Sequence, residues 1–314
     1  MAPAIETSGL GKRYRGVEAL ADLTLQVPSG SIFGFLGPNG AGKTTTLKIL
    51  AGLSRASAGR ATIGGVPVTM QGKHRARVGY LAQEPRFYGW MTGRQTLAYV
   101  ASFFPAGSRR RGNGELLELV GLAAAADRPT KTYSGGMRQR LGIAQALVGD
   151  PAVVLLDEPA ASLDPLGRRD VLDLMQGLRG ETTVFYSTHI LDDVQRVSDH
   201  VAILDHGRLV ASAPTAALMG EFRATTLRVG LLGATSETEA ALSSLRDVTA
   251  VSVVGRDGDE WRFDVTPVEG STRRAQDAVM RFAADAGLTL VSNRQEELNL
   301  EEVFLSIVNK ERAA

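Results

Sequence analysis

The residues best suited to phosphate chemistry form one glycine-rich segment. It runs Gly37, Pro38, Asn39, Gly40, Ala41, Gly42, Lys43, Thr44 and Thr45. An apolar stretch over 31–36 precedes it and a helical pattern over 45–52 follows it, so the predicted order is strand, loop and helix. Glycines allow backbone N–H groups to curl around phosphate oxygens, and the helix directs its positive end at them. Lys43 is then the point charge for the β- and γ-phosphates, and Thr44 offers a hydroxyl to a bridging Mg²⁺ ion. The segment predicts a nucleoside triphosphate site.

Two carboxylates follow a second apolar stretch. Residues 152–156 are continuously apolar, which is typical of a strand buried on both faces of a parallel sheet, and Asp157 and Glu158 come directly after it. Asp157 is placed to hold Mg²⁺ through water. Glu158 is placed to polarise a water molecule against the γ-phosphate, which is the positioning work that phosphoryl transfer requires.

Two further segments offer groups that could meet an anion. A strand predicted over 183–187 delivers His189 to its carboxyl end, where ligands bind in α/β sheets, so His189 is interpreted as a γ-phosphate contact. Ser134, followed by Gly135 and Gly136, caps another predicted helix and leaves N–H groups open at its start. The same three residues also occur in an ordinary capped turn, so on their own they leave both interpretations open.

Aromatic residues allow two interpretations each. Tyr14 lies in a turn, where its ring could stack on an adenine or pack against the protein. A cluster of aromatic residues follows residue 86 and either forms the core of a helical region or lines an exposed groove for a partner's helix. Its members are Phe87, Tyr88, Trp90, Tyr99, Phe103 and Phe104.

The elements that position these residues predict two domains. Residues 1–220 read as an α/β P-loop domain with an antiparallel layer near its start and a helical subdomain at about 84–150. Residues 221–314 follow the order β-α-β-β-α-β, which predicts a small α+β ferredoxin-like domain. A last amphipathic helix is predicted over 300–308.

Composition narrows the class of function. The net charge is +1, from 35 basic and 34 acidic residues, so no nucleic-acid partner is expected. The absence of cysteine excludes disulfides and thiolate metal sites. No apolar run approaches the roughly 20 residues that cross a bilayer. We therefore expect a cytoplasmic protein that reaches a membrane only through a partner.

Taken together and in this order, the motifs resemble the ATP-binding subunit of an ABC transporter. They are residues 37–45, Gln83, Ser134-Gly135-Gly136, Asp157-Glu158, Asp164 and His189. The resemblance implies a P-loop ABC ATPase fold with a mixed sheet and a helical subdomain, and ATP and Mg²⁺ as ligands. It also implies a head-to-tail homodimer, in which each ATP lies between one protomer's phosphate loop and the partner's Ser134 helix.

The same resemblance implies a role for individual residues. Glu158 would be the catalytic base, with Lys43 and His189 holding the γ-phosphate. Gln83 would contact Mg²⁺ and the attacking water. Tyr14 would stack on adenine, and Asp164 would couple the two sites across the dimer.

One residue departs from the commonest form of the signature. Met137 follows Ser134-Gly135-Gly136 where glutamine is usual, and its side chain cannot donate a hydrogen bond. The methionine form resembles bacterial exporters of the daunorubicin-resistance kind. This implies an ATPase that powers export of a drug-like, antibiotic or lipid-like molecule through a separate membrane permease, and a location on the inner face of the membrane.

Two alternatives belong to other classes of function. A soluble ABC ATPase acting on ribosomes or DNA would usually carry two cassettes or a basic arm, whereas this chain has one set of motifs and almost no net charge. A regulator that binds ATP without hydrolysing it is disfavoured by the presence of Glu158 and His189. For the tail, dimer support is expected rather than small-molecule sensing.

Overall fold

The computed structural model of the chain describes residues 2–105, 111–221, 226–268 and 270–296. Within them, one compact unit ends at Ala216 and a second begins at Ala217. The helix Thr215–Glu221 spans this division and also the boundary that we predict after residue 220. The helix predicted over 300–308 lies outside the described residues.

The first unit is built on two sheets. In the described chain, a central sheet has six strands in the order β10-β9-β3-β8-β7-β6, and a second sheet has four in the order β2-β1-β4-β5. The strands are β1 (Ile5–Tyr14), β2 (Val17–Val27), β3 (Ile32–Leu36), β4 (Ala58–Ile63), β5 (Val66–Pro67), β6 (Val78–Leu81), β7 (Val153–Asp157), β8 (Thr183–Thr188), β9 (His200–Asp205) and β10 (Arg208–Pro214). The α-helices are α1 (Lys43–Leu50), α2 (Gly93–Ala101), α3 (Asn113–Leu119), α4 (Gly135–Leu147), α5 (Pro165–Gly177), α6 (Leu191–Val197) and α7 (Thr215–Glu221).

Three parallel strands at the centre of the larger sheet bring the chemical residues together. β3, β7 and β8 are buried along their whole length, as the apolar sequences of β3 and β7 predict. Leu36 pairs with Thr188 and Asp157 pairs with Ser187, so the carboxyl ends of these strands meet at one edge. Ligands bind at this edge in α/β sheets.

The region between β6 and β7 contains α2, α3 and α4. Thr92 caps α2 in a capping box, because its hydroxyl accepts from the Gln95 N–H while the Gln95 side chain accepts from the Thr92 N–H. Leu97, Leu116 and Leu141 contribute buried side chains here. Most side chains of the aromatic cluster are exposed instead of buried. They are Tyr88, Trp90, Tyr99 and Phe103.

The second unit has the predicted β-α-β-β-α-β order. Its elements are β11 (Thr226–Leu232), α8 (Thr238–Ser243), β12 (Val248–Asp257), β13 (Glu260–Pro267), α9 (Thr272–Asp285) and β14 (Thr289–Glu296). The strands pair antiparallel in the order β12-β13-β11-β14, which is the ferredoxin-like arrangement. Leu227, Phe263 and Val279 belong to its own buried core. In the described parts of both units, no helix combines the length and apolar character of a bilayer span.

Candidate active site

The phosphate loop joins β3 to α1 through two glycine positions that tolerate no side chain. A Cβ at Gly37 would lie 2.3 Å from the Leu204 carbonyl oxygen, and a Cβ at Gly42 would lie 2.5 Å from that of Ala19. Gly42 also has a φ of 104°, in the left-handed region, immediately before the first residue of α1. These glycines let the loop pass close to neighbouring backbone and enter the helix.

Lys43 is enclosed at the start of α1. Its Nζ donates to the carbonyl oxygens of Gly37 at 2.6 Å and Pro38 at 3.1 Å. It also lies 3.4 Å from Glu158 Oε1, and both side chains are almost fully buried. Burial lowers the pKa of Lys43, while the charges of Glu158 and Asp157 oppose that shift. The ammonium group is thus held inside the loop by oxygen acceptors.

Asp157 is joined to the phosphate loop and to β8 by hydroxyl groups. Its Oδ1 accepts from Thr44 Oγ1 at 2.9 Å and from Ser187 Oγ at 2.8 Å. Ser187 Oγ in turn accepts from the Glu158 N–H at 2.9 Å. A carboxylate beside a threonine hydroxyl is an oxygen donor set that suits Mg²⁺.

Glu158 lies between the phosphate loop and the end of β8. Its Oε2 is 2.9 Å from His189 Nδ1, while its Oε1 faces Lys43. The backbone of Glu158 has a φ of 49°, a left-handed conformation that is uncommon outside glycine. This turn after β7 aims the carboxylate back at the other two residues. His189 therefore contacts Glu158 directly in this structure.

A cavity of about 160 Å³ lies beside Lys43, Thr44 and Glu158 and also reaches Gln83. It is lined by Ala19, Asn39, Gly40, Gly42, Lys43, Thr44, Thr45, Gln83 and Glu158. A larger cavity of about 620 Å³ lies near Arg55 and Arg60, and none of the residues singled out from the sequence line it. Volume therefore does not identify the site here; the residue chemistry does.

Tyr14 lies at the end of β1 and does not line the 160 Å³ cavity. Its ring is partly exposed, its hydroxyl is 3.3 Å from Ser54 Oγ, and the Lys12 ammonium lies 4.5 Å from the ring centroid. A cation above an aromatic face is an attractive contact. Lys12 thus covers one face of the ring.

The Ser134 and Asp164 segments each cap a helix outside this cavity. Ser134 Oγ accepts from the Met137 N–H at 3.2 Å at the start of α4. Asp164 Oδ1 accepts from the Gly167 N–H at 2.7 Å at the start of α5. Ser134 and Gly135 are exposed, so the start of α4 is open to solvent. Neither Ser134 nor Asp164 lines the cavity beside the phosphate loop of its own chain.

Two contacts at the site were missed from the sequence. Ser187 ends the strand predicted over 183–187, and a polar residue in a buried strand is a signal that it has a hydrogen-bond partner. Lys12 carried no such signal, because its position over Tyr14 depends on the β1–β2 hairpin.

Known proteins are similar to this chain in both sequence and fold. The ABC transporter family model matches residues 20–161. The daunorubicin/doxorubicin resistance ATP-binding protein DrrA of Streptomyces peucetius is 38% identical, covering 97% of this chain and 92% of its own length. The bacitracin transport ATP-binding protein BcrA of Bacillus licheniformis is 37% identical, covering 68% of this chain and 71% of its own length.

The chain belongs to the ABC transporter ATP-binding family. The predicted resemblance is confirmed. A solved structure of cbiO1 from Clostridium perfringens, part of the ABC transporter complex cbiONQ, has a TM-score of 0.62 and 25% identity, and it covers 70% of this chain and 92% of its own. The predicted ABC ATPase fold is therefore confirmed as well, and the chain is an ABC transporter ATP-binding subunit.

Proposed function

We propose that this ABC ATPase hydrolyses ATP and powers export of a drug-like, antibiotic or lipid-like molecule through a separate membrane permease. The observation that carries the hydrolytic part is the position of Glu158, whose two carboxylate oxygens face Lys43 and His189. The export part is supported by the likeness to DrrA and BcrA, which are named for drug resistance and for bacitracin transport.

In this proposal the phosphate loop binds the phosphates of ATP, and Glu158 takes part in the hydrolysis. The N–H groups of residues 39–44 and the Lys43 ammonium bind the β- and γ-phosphates. Glu158 accepts a proton from the attacking water, and Gln83 and His189 orient the water and the γ-phosphate. Tyr14 offers the ring face that Lys12 leaves uncovered to the adenine.

Thr44, Asp157 and Gln83 are the residues that would hold Mg²⁺. The hydrogen bond between Thr44 and Asp157 already places a hydroxyl and a carboxylate oxygen side by side, so the residues fit the ion. When bound, Mg²⁺ neutralises charge on the β- and γ-phosphates.

We further propose that two identical chains close over two ATP molecules. The exposed N-terminus of α4, with the Ser134 hydroxyl and the N–H groups of Gly135 and Gly136, supplies the partner's contacts to the γ-phosphate. Such contacts use backbone N–H groups and the Ser134 hydroxyl, so the Met137 side chain is not needed for them. Asp164 then couples the two sites across the interface.

The permease is proposed to dock on an aromatic surface formed by Tyr88, Trp90, Tyr99 and Phe103. Their rings form a continuous chain with centroid distances of 5.2 to 6.3 Å. Trp90 is 72% exposed and Phe103 is 69% exposed, which is unusual for large apolar side chains. A partner helix that covered these rings would place the chain on the inner face of the membrane.

Co-purification tests whether the chain binds a membrane permease and is located at the membrane. The chain is recovered from detergent-solubilised membranes of its native host, and accompanying proteins are identified by mass spectrometry. A stoichiometric multi-span membrane protein is expected. Recovery only in the soluble fraction, with ribosomes or with no partner, would instead favour the soluble ABC ATPase.

A further inference from the structure

Two residues with roles in the proposed function lie at the starts of the helices α5 and α6. Asp164 is the N-cap of α5, and His189 comes shortly before α6 in the chain. Between these two helices lies an ion pair that the proposed chemistry does not use. Arg168 Nε on α5 donates to Asp193 Oδ1 on α6 at 2.7 Å.

Arg168 is bonded to both segments at once. Its backbone N–H donates to the Asp164 carbonyl oxygen at 2.9 Å, in the first turn of α5. Its side chain holds Asp193, in the first turn of the helix that follows His189. Arg168 therefore links the first turn of α5, next to Asp164, to the first turn of α6.

The Arg168–Asp193 pair is more deeply buried than another ion pair between these two helices. The Asp193 carboxylate is 2% exposed, whereas a second pair between the same helices, Arg196 with Asp173 at 2.7 Å, is exposed on both sides. Surface pairs of that kind contribute little. A buried carboxylate, by contrast, needs its partner in a defined place.

We propose that Arg168 and Asp193 are positioning residues that fix the Asp164 loop relative to His189. Contact with the second protomer at Asp164 is thereby coupled to the arrangement of Glu158 and His189 inside the site. This inference rests on the proposed function, because it assumes the roles given there to Asp164, Glu158 and His189.

The pKa of Asp193 reflects both its burial and its partner. Burial raises the pKa of Asp193 more than the hydrogen bond from Arg168 lowers it, and the nearby charges of Asp192 and Glu158 add to the increase. The charged form of Asp193 is therefore costly in the fold. Arg168 is only partly buried, so it can turn to water if Asp193 loses its charge.

Asp193→Asn in the full-length chain tests the inference, since it keeps the shape and removes the charge. We expect ATP binding within about twofold of wild type, a kcat about tenfold lower, and loss of cooperativity in the dependence of rate on ATP concentration. A purely structural role would change binding and thermal unfolding instead.

Asp173→Asn is the matched control, because it removes the exposed pair between the same helices. Its kcat and cooperativity are expected to match wild type. Arg168→Gln alone is expected to lower kcat as Asp193→Asn does, and the double variant Arg168→Gln/Asp193→Asn is expected to lose no more than either single variant, because residues that act as one unit are not additive.

Three results would overturn the inference: unchanged kcat and cooperativity in Asp193→Asn, an equal loss in Asp173→Asn, or additive losses in the double variant. A failure of the proposed function would look different. In that case the wild-type chain would hydrolyse no ATP, or Glu158→Gln would hydrolyse it normally, and this inference would fall with it.

Discussion

At the scale of single residues, each oxygen of the Glu158 carboxylate has its own partner. One oxygen is 3.4 Å from the Lys43 ammonium, and the other is 2.9 Å from the His189 ring. The hydrogen bond from the Glu158 N–H to Ser187 holds the residue in its left-handed turn. The orientation of Glu158 is therefore set by two segments, the start of α1 and the carboxyl end of β8.

Glu158→Gln separates binding from chemistry. The amide has the same shape but cannot accept a proton from water, so phosphate release is expected to slow by at least about a hundredfold. ATP binding is retained, and an ATP-bound dimer accumulates, which size-exclusion chromatography detects. Glu237→Gln, at an exposed position in the second unit, is the control and keeps the normal rate. Normal hydrolysis by Glu158→Gln would contradict its assignment as the base.

Ser187→Ala tests the hydrogen bonds that Ser187 makes to Asp157 and Glu158. It removes the donor to Asp157 and the acceptor of the Glu158 N–H, both buried, so the free energy of unfolding is expected to fall by about 1–3 kcal/mol. Mg²⁺-dependent ATP binding should weaken as well, as measured by titration with and without a chelator.

Thr182→Ala is the matched control for Ser187. Thr182 is also buried and donates to the Pro151 carbonyl at 2.7 Å, but it does not contact Asp157 or Glu158. Its loss should lower stability and leave ATP affinity unchanged. Equal effects of both variants on ATP affinity would show that Ser187 has no specific link to the site.

The site could be predicted from the sequence where its motifs are local. Lys43 and Thr44 follow from the glycine spacing, and Asp157 and Glu158 follow from the apolar strand before them. The contact between Glu158 and His189 was not predicted, because it depends on the register of β7 with β8. The roles of Tyr14, Gln83, Ser134 and Asp164 remain predictions.

At the scale of elements, the phosphate loop depends on the close approach of two backbones. Gly42→Ala places a Cβ 2.5 Å from the carbonyl oxygen of Ala19, a residue of β2 that also lines the cavity. We expect ATP affinity to fall by more than about tenfold, as measured by equilibrium binding, because the loop must shift to relieve the clash.

Gly40→Ala is the control within the same loop. Gly40 also has a positive φ, of 84°, but a Cβ there meets nothing within 4 Å. Only backbone strain of about 1–2 kcal/mol is then expected, with a smaller loss of ATP affinity. If Gly40→Ala impairs binding as strongly as Gly42→Ala, strain rather than the clash would be the cause.

Elements were predicted best where one face or both faces are buried. β7 and β8 match the strands predicted over 152–156 and 183–187 to within one residue at each end. The start of α1 was predicted at residue 45, whereas the helix begins at Lys43 because the left-handed Gly42 directs the chain into it. The exposure of Trp90 could not be predicted, since sequence pattern does not distinguish a small core from an uncovered surface.

At the scale of the whole molecule, the aromatic surface is proposed to connect ATP hydrolysis to a membrane partner. The double variant Tyr88→Asp/Trp90→Asp places two charges on exposed rings, so the fold is expected to persist and membrane association to be lost. Fractionation of cell membranes, with circular dichroism of the purified variant, measures both.

Val291→Asp is the control for this surface. Val291 is half exposed and lies on β14 of the second unit, away from the aromatic rings in sequence. It should leave membrane association intact. Membrane association retained by the Tyr88→Asp/Trp90→Asp variant would show that the aromatic surface is not the docking site.

The strand order of the central sheet has a consequence for synthesis on the ribosome. β8 lies between β3 and β7, although it is made after both of them. An emerging chain that ends before residue 183 has the phosphate loop and the acidic pair but lacks the strand that joins them. The nucleotide site is therefore completed late, by insertion of β8 into a gap, and the nascent first unit cannot fold in simple order from its N-terminus.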